Sequence, residues 1–289
     1  MFWVLMGLIC ALATSFSDVT NKFILKKDSP YFTGWLQLFL LIPFFLPILF
    51  FYKVNWLPWE FWGVIAMILP FEFFSFFLYL RALQISPLSL TVPFLSFTPI
   101  LTLLFSLVIL KEIPSLNGLL GVCLVTLGAY TLNLSALPKS IWGPILAIRR
   151  EKGSFYMFIV ALIFGLTSTL AKRALQLSNP FIFPAVYMPI FALAVSFYVY
   201  FFKRGGELEP SQPIQWRYYL LLLLLTLISI FSFNLGLDQT KAAYLISLKR
   251  LSLILGVAFG KYFFAETHIR ERLTGALLMF LGVVLIIWN

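Results

Sequence analysis

Charged side chains are scarce in this sequence. Asp, Glu, Lys and Arg make up only 11% of its 289 residues, against about 25% in ordinary soluble domains. Hydrophobic residues make up 61%, and several apolar runs reach the roughly 20 residues that cross a bilayer as a helix. This composition excludes a soluble globular domain and indicates a polytopic helical membrane protein.

Residues that build metal sites, disulfides and catalytic centres are equally scarce. The two cysteines, Cys10 and Cys123, lie inside apolar runs, and the single histidine, His268, has no companion for a metal site. Metal motifs, nucleophile elbows and phosphate-binding loops are missing from the sequence. We therefore expect neither an enzyme nor an ATP-driven protein, and we predict no metal and no cofactor.

Basic residues are missing ahead of the first apolar run, which continues to about Val19. We interpret that run as a membrane span and not as a cleaved signal peptide. Hydropathy predicts an all-α integral membrane protein with ten transmembrane helices. Their predicted bounds are 2–20, 32–52, 59–80, 88–110, 116–134, 154–174, 181–202, 217–237, 242–264 and 273–288.

The two halves of the chain resemble each other. We predict a first five-helix repeat at 1–134, a basic linker at 135–153 and a second five-helix repeat at 154–289. An odd number of spans per repeat forces the copies into opposite orientations, which is the inverted-repeat plan of secondary transporters. The matched positions are Lys22 with Lys172 at an offset of 150, and Glu112 with Glu266, Gly121 with Gly275, Gly128 with Gly282 and Leu83 with Leu237 at an offset of 154.

Lys and Arg are distributed unequally between the two sets of predicted loops. Five lie on the side of the N-terminus and fourteen on the other side. The positive-inside rule therefore predicts that both termini are outside the cell. Because the basic residues lie in short loops between spans, the net charge of +10 does not indicate a nucleic-acid partner.

Two adjacent cations, Lys249 and Arg250, lie inside the ninth predicted span. A charge at the centre of a membrane helix costs about 2.5–3.5 kcal/mol, so such residues normally face a bundle interior or a wet cavity. One of the two could instead extend back to the interface, and Lys249 is nearer the helix start. Adjacent helical residues point about 100° apart, so we predict that Arg250 faces a cavity.

Glu72 is the strongest acidic candidate for a functional residue, because it lies about 20 Å along the third predicted span. It could bind substrate or couple a proton, or it could form a structural ion pair with Arg250. Asp18 and Asn21 share a polar face at the end of the first span. For Asp18 the alternative is pairing with Lys22 at the membrane edge.

Hydroxyl groups inside predicted spans complete the candidate site. Thr98 and Thr102 follow Pro93, and the prolines of this span predict a kinked helix beside a cavity. The alternative is that these hydroxyls bond to their own helix, which is the more common case. The remaining candidates of this kind are Ser229, Tyr79 and Tyr244.

With these features the chain resembles the drug/metabolite transporter superfamily, specifically its ten-span EamA-type branch, over nearly its whole length. Lys22 and Lys172 close the first span of each half, as in that family. Lys249-Arg250 stands where the first half has Leu95-Ser96, so this cationic pair is particular to one repeat. The other segments that carry the resemblance are RALQISPLSLTVPFLSFTPILTLLFSLVILKE and LGLDQTKAAYLISLKRLSLILGVAFGKYFFAE.

The resemblance implies a secondary transporter, often an exporter, of small metabolites or drugs. We expect export across the cell membrane of a small polar or amphipathic, amino-acid-like metabolite, by alternating access through a midplane cavity between the repeats. The alternatives are a proton-coupled exporter of cationic drugs and a non-catalytic membrane scaffold. Expected partners are a small-molecule substrate, the lipid bilayer and protons, with no nucleic acid; the sequence leaves monomer or dimer open.

Overall fold

The computed structural model describes residues 1–52, 56–86, 92–134, 152–202, 213–255 and 273–288. These residues form helices joined by short connections. In chain order they are α1 (Phe2–Leu25), α2 (Pro30–Phe51), α3 (Trp59–Ile85), a 3-10 helix (Val92–Phe97), α4 (Thr98–Ile109), α5 (Leu116–Leu134), α6 (Lys152–Gln176), α7 (Ile182–Phe202), α8 (Trp216–Gln239), α9 (Ala242–Lys249) and α10 (Leu273–Ile287).

The lengths of these helices confirm the class of a multi-pass membrane protein. Six of them, α1, α2, α3, α6, α7 and α8, are long and apolar enough to cross a bilayer. The apolar helices α4, α5 and α10 are shorter within the described residues. Ten spans therefore remain a prediction. Most of the predicted linker lies outside the described residues, and α6 already begins at Lys152, inside the predicted linker range.

Helix ends follow local chemistry more closely than hydropathy. α2 begins where the Ser29 side chain accepts a 3.1 Å hydrogen bond from the Phe32 N–H and Pro30 occupies the first helical position. α1 continues to Leu25, five residues beyond the predicted bound. The polar residues Asn21 and Lys22, which suggested the earlier end, lie inside the helix because other helices surround them.

Four extensive helix contacts build the bundle. α1 packs along α8, α3 along α6, α2 against α7, and α5 against α10. Each of these contacts joins a helix from the first half of the chain to one from the second half. The order of helices in the two halves pairs α1 with α6, α2 with α7, α3 with α8 and α5 with α10. Under this correspondence the α1–α8 contact becomes the α6–α3 contact, and the other two contacts map onto themselves. The halves are therefore interleaved and do not sit side by side as two modules.

The contact between α5 and α10 depends on glycine. A Cβ atom added to Gly121 would lie 2.6 Å from the Gly282 carbonyl oxygen, and one added to Gly128 would lie 2.6 Å from the Gly275 carbonyl oxygen. Small residues let membrane helices approach this closely. The lower-numbered glycine of α5 meets the higher-numbered glycine of α10, so the two helices are antiparallel. The other predicted packing glycines, Gly256 and Gly260, lie outside the described residues, as does Glu266.

The prediction of one uninterrupted α-helix through Arg250 needs correction, because a turn at Arg250 and Leu251 interrupts the helix before it resumes at 252–255. α9 ends at Lys249, and the backbone N–H of Arg250 is shared between the carbonyls of Ile246 and Ser247, at 3.0 and 3.2 Å. The matching stretch of the first half is the 3-10 helix Val92–Phe97. Local 3-10 bonding is tolerated in membrane helices where the surrounding protein satisfies the backbone, and both of these distorted stretches lie in the bundle interior.

Candidate functional site

A polar cavity lies between the α1–α8 pair and the α3–α6 pair. It has two adjoining lobes of about 270 and about 200 Å³. Charged and hydroxyl groups line both lobes: Glu72, Ser229, Lys249 and Arg250. The larger lobe adds Ser17, Asp18, Asn21, Gln37 and Tyr79, and the smaller lobe adds Thr167, Ser168 and Asn234.

Arg250 is fixed at the cavity wall by the break that ends α9. Its side chain is 3% exposed, and its Nη2 donates a 2.8 Å hydrogen bond to the Thr98 hydroxyl. Thr98 in turn donates to the Leu95 carbonyl at 2.7 Å. The Arg250 Nε is buried without an acceptor from the protein. The guanidinium therefore keeps one donor that the protein does not satisfy.

Asp18 is held by Tyr79, whose hydroxyl donates to the Asp18 carboxylate. Lys249 and Arg250 are the cations whose charges act on this carboxylate. The alternative in which Asp18 pairs with Lys22 is wrong, because the Lys22 ammonium donates to backbone carbonyls at the end of α3. Asp18 therefore belongs to the cavity and not to the membrane edge.

Glu72 and Arg250 line the same cavity but do not form an ion pair in the structure. The cation that acts on Glu72 is Lys249, whose Nζ lies 4.8 Å from the centre of the Phe233 ring. The alternative of a structural Glu72–Arg250 pair is therefore wrong. The described lining holds two acids and two bases, so the cavity is formally neutral while both signs of charge face it.

Buried polar atoms without a protein partner concentrate around this cavity. Leaving one buried donor or acceptor unpaired costs about 1–3 kcal/mol, so a cavity lined by several of them is suited to water or a polar ligand. Within the part of the chain that the structure describes, two further atoms of this kind, in Ser15 and Ser96, lie away from it. The six lining atoms are Ser17 Oγ, Asn21 Oδ1, Gln37 Oε1, Tyr187 Oη, Asn234 Oδ1 and Arg250 Nε.

The structure brings most of the predicted site residues to this cavity. Thr98 does not line it but accepts the hydrogen bond from Arg250, which does. Two predictions need correction. The Thr102 hydroxyl donates to the Thr98 carbonyl of its own helix at 2.8 Å, and Thr102 lines neither lobe. Tyr244 lines neither lobe either, because it points to α5, where its hydroxyl accepts a 3.3 Å hydrogen bond from the Ser115 N–H.

Sequence reasoning missed two lining residues on α2 and α7. Gln37 donates a 3.1 Å hydrogen bond to the Thr226 hydroxyl, and Tyr187 lies beside Glu72 and lines both lobes. At the repeat offset of 150, Gln37 corresponds to Tyr187. A lone amide in an otherwise apolar span, together with its repeat partner, was the signal that could have found them.

These features define a class: a helical membrane protein whose charged side chains meet in a neutral cavity within the bundle. Residues 1–134 and 151–288 match the EamA-like transporter family, and the chain therefore belongs to that family. The resemblance to the drug/metabolite transporter superfamily is thus confirmed at the family level, and the chain is a membrane transporter by family.

A solved crystal structure of a protein resembles this fold. The two superpose with a TM-score of 0.74 at 16% sequence identity, over 98% of this chain and 95% of that chain. At this identity the likeness shows the fold alone. Among curated proteins none matches the chain.

Proposed function

We propose that this protein is a secondary active transporter that moves a small metabolite carrying both an acidic and a basic group. The observation that carries the proposal is that two carboxylates and two cations line one buried cavity, in a chain that belongs to a transporter family. A zwitterion can approach opposite charges at both of its ends. Burying a charge at this depth in the membrane costs free energy, so four such side chains around one cavity indicate a functional site.

The charge of the cavity favours a metabolite with both signs of charge over a cationic drug. Lys249 and Arg250 line both lobes. A purely cationic substrate would have to sit beside these two cations. Unfavourable charge pairs of this kind select against a ligand.

The proposed mechanism is alternating access, in which the cavity opens to one side of the membrane at a time. The antiparallel glycine contacts of α5 and α10 and the exchange symmetry of the helix contacts support an inverted repeat. Asp18 and Glu72 are the cavity groups able to exchange a proton, so protons are the proposed coupling ion. Export across the cell membrane is proposed from the family resemblance alone.

Exchange in proteoliposomes tests the substrate class. Labelled small zwitterionic amino acids are compared with the matching amines that lack the carboxylate and the matching acids that lack the amine. Exchange of a zwitterion, with little exchange of either truncated form, is the expected result. Exchange of amines alone would replace the proposal with the cationic-drug exporter, and no exchange of any panel member would favour the scaffold.

The variant Glu72→Gln is expected to lose zwitterion exchange while reaching the membrane at normal levels. Truncating one charge of a buried site costs about 2–5 kcal/mol in binding, because the amide cannot neutralise the substrate amine or exchange a proton. Glu60→Gln is the matched control: Glu60 pairs with Arg173 at an exposed position, and such pairs contribute about 0–1 kcal/mol. Wild-type exchange by Glu72→Gln would remove Glu72 from the site.

The orientation is proposed with both termini outside, from the excess of basic residues in the opposite loops. A C-terminal reporter that is active only in the periplasm or exterior is expected to give signal. A reporter that is active only in the cytoplasm is expected to stay silent. The reverse pattern of the two signals would invert the proposed topology without altering the cavity.

A further inference from the structure

Lys22 ties α1 to the end of α3. Its ammonium donates to the backbone carbonyls of Leu83 and Ser86, at 2.5 and 2.6 Å. These carbonyls belong to the last turn of α3 and its C-cap. A cation at a helix C-terminus also interacts favourably with the helix dipole.

Lys172 makes the corresponding contact in the second half of the chain. Its side chain is 7% exposed, and its ammonium donates to the carbonyls of Leu237, Asp238 and Thr240 at the end of α8, at 2.5, 3.2 and 3.0 Å. Leu237 and Thr240 lie 154 residues after Leu83 and Ser86. The same device therefore occurs once in each half.

The two lysines lie at opposite ends of the bundle. Lys22 reaches the last turn of α3, whereas Arg173, the neighbour of Lys172, forms an ion pair with Glu60 at the second residue of α3. α3 has 27 residues, which corresponds to a length of about 40 Å. One lysine therefore marks each membrane face.

Each lysine also bridges the two helix pairs that enclose the cavity. α1 packs along α8, and α3 packs along α6. Lys22 links α1 to α3, and Lys172 links α6 to α8, so each bond set joins one pair to the other at a single end. The Arg173–Glu60 ion pair, by contrast, lies within the α3–α6 pair. Separating the pairs at one face requires release of the lysine at that face.

We propose that Lys22 and Lys172 are the latches of two gates, each keeping the cavity closed at its own end of the bundle. This inference rests on the proposed alternating access. An ammonium has three donors: Lys22 donates to the carbonyls of Leu83 and Ser86, and Lys172 to those of Leu237, Asp238 and Thr240. An apolar side chain cannot make these bonds. During transport one latch opens while the other stays closed.

The side from which the cavity can be labelled tests the latches without any substrate. The reporter is Met188→Cys, which lines both lobes, in a chain with Cys10→Ala and Cys123→Ala. A membrane-impermeant maleimide is added to right-side-out or inside-out vesicles. Lys22→Met is expected to raise the labelling rate about tenfold from the Lys22 face only. Lys172→Met is expected to raise it about tenfold from the opposite face only. A tenfold change is the size expected when hydrogen bonds to a charged group are lost.

Control variants separate gating from general loosening. Lys27→Met and Lys111→Met replace exposed lysines at the two faces and should leave labelling unchanged. Lys22→Arg and Lys172→Arg keep the charge and should return labelling toward the parent level. If a methionine variant fails to reach the membrane, the glutamine variant of the same lysine, which keeps a donor without the charge, is expected to shift labelling to the same face by a smaller factor.

Equal labelling from both faces, or no change in any latch variant, would overturn the latch proposal. If the wild type exchanges zwitterions but the lysine variants are labelled from the same faces and at the same rates as the parent, the latch proposal is refuted and the proposed substrate class stands. Labelling of each methionine variant from its own face, without exchange of any panel substrate, would keep the latches and refute the proposed substrate class.

Discussion

Arg250→Ala is expected to reduce zwitterion exchange by about 100-fold or more, with the protein still present in the membrane. Arg250 carries a buried guanidinium with one donor directed to Thr98 and another left without a protein acceptor. Removal of a buried charge that binds an opposite charge costs about 2–5 kcal/mol, and 2.7 kcal/mol corresponds to about 100-fold. Initial exchange rates, normalised to protein per vesicle, give the measurement.

Two threonines of α4 provide a graded control for this result. Thr98→Val removes the acceptor of the Arg250 Nη2, and we expect about a tenfold loss of exchange because a hydrogen bond to a charged group contributes about 1.5–3 kcal/mol. Thr102→Val removes a hydroxyl that bonds to its own helix and should change exchange little. Arg81→Ala is the control for loss of an exposed arginine. Equal loss in both threonine variants would mean that Arg250 is not positioned through Thr98.

Gly128→Ala is expected to destabilise the folded protein by about 1–3 kcal/mol or more, the usual cost of overpacking a close contact. The added Cβ would lie 2.6 Å from both the Gly275 carbonyl oxygen and the Met279 backbone nitrogen. Backbone atoms of a packed helix cannot rotate away as a side chain can. Thermal unfolding of purified protein in detergent, followed by intrinsic fluorescence, should show a lower midpoint.

Gly63→Ala, in α3, is the matched control. Nothing lies within 4 Å of a Cβ atom at this position, and replacing glycine by alanine inside a helix gains about 0.5–1 kcal/mol. Its midpoint should equal or exceed that of the wild type. If Gly128→Ala unfolds at the wild-type midpoint, the close contact between α5 and α10 is not present in the protein.

The sequence alone determined the class of the protein and the inventory of its interior. Scarcity of charge fixed the membrane setting, because hydrocarbon does not solvate ions. For the same reason Glu72 and Arg250 were predicted to lie in the interior before any contact was known, whereas Asp18 and Lys249 were left between the interior and the membrane edge. The repeat offsets also identified the glycines of α5 and α10 and the two lysines, although not what the lysines bind.

The tertiary structure decided which of these groups meet. Hydropathy could not tell that the helix breaks at Arg250, that Glu72 lies by Lys249, or that Thr102 and Tyr244 point away from the cavity. A membrane helix is apolar on nearly every side, so its sequence gives little information about which face meets another helix. Rotation and register are set by close packing between helices distant in the chain, and only the assembled bundle fixes them.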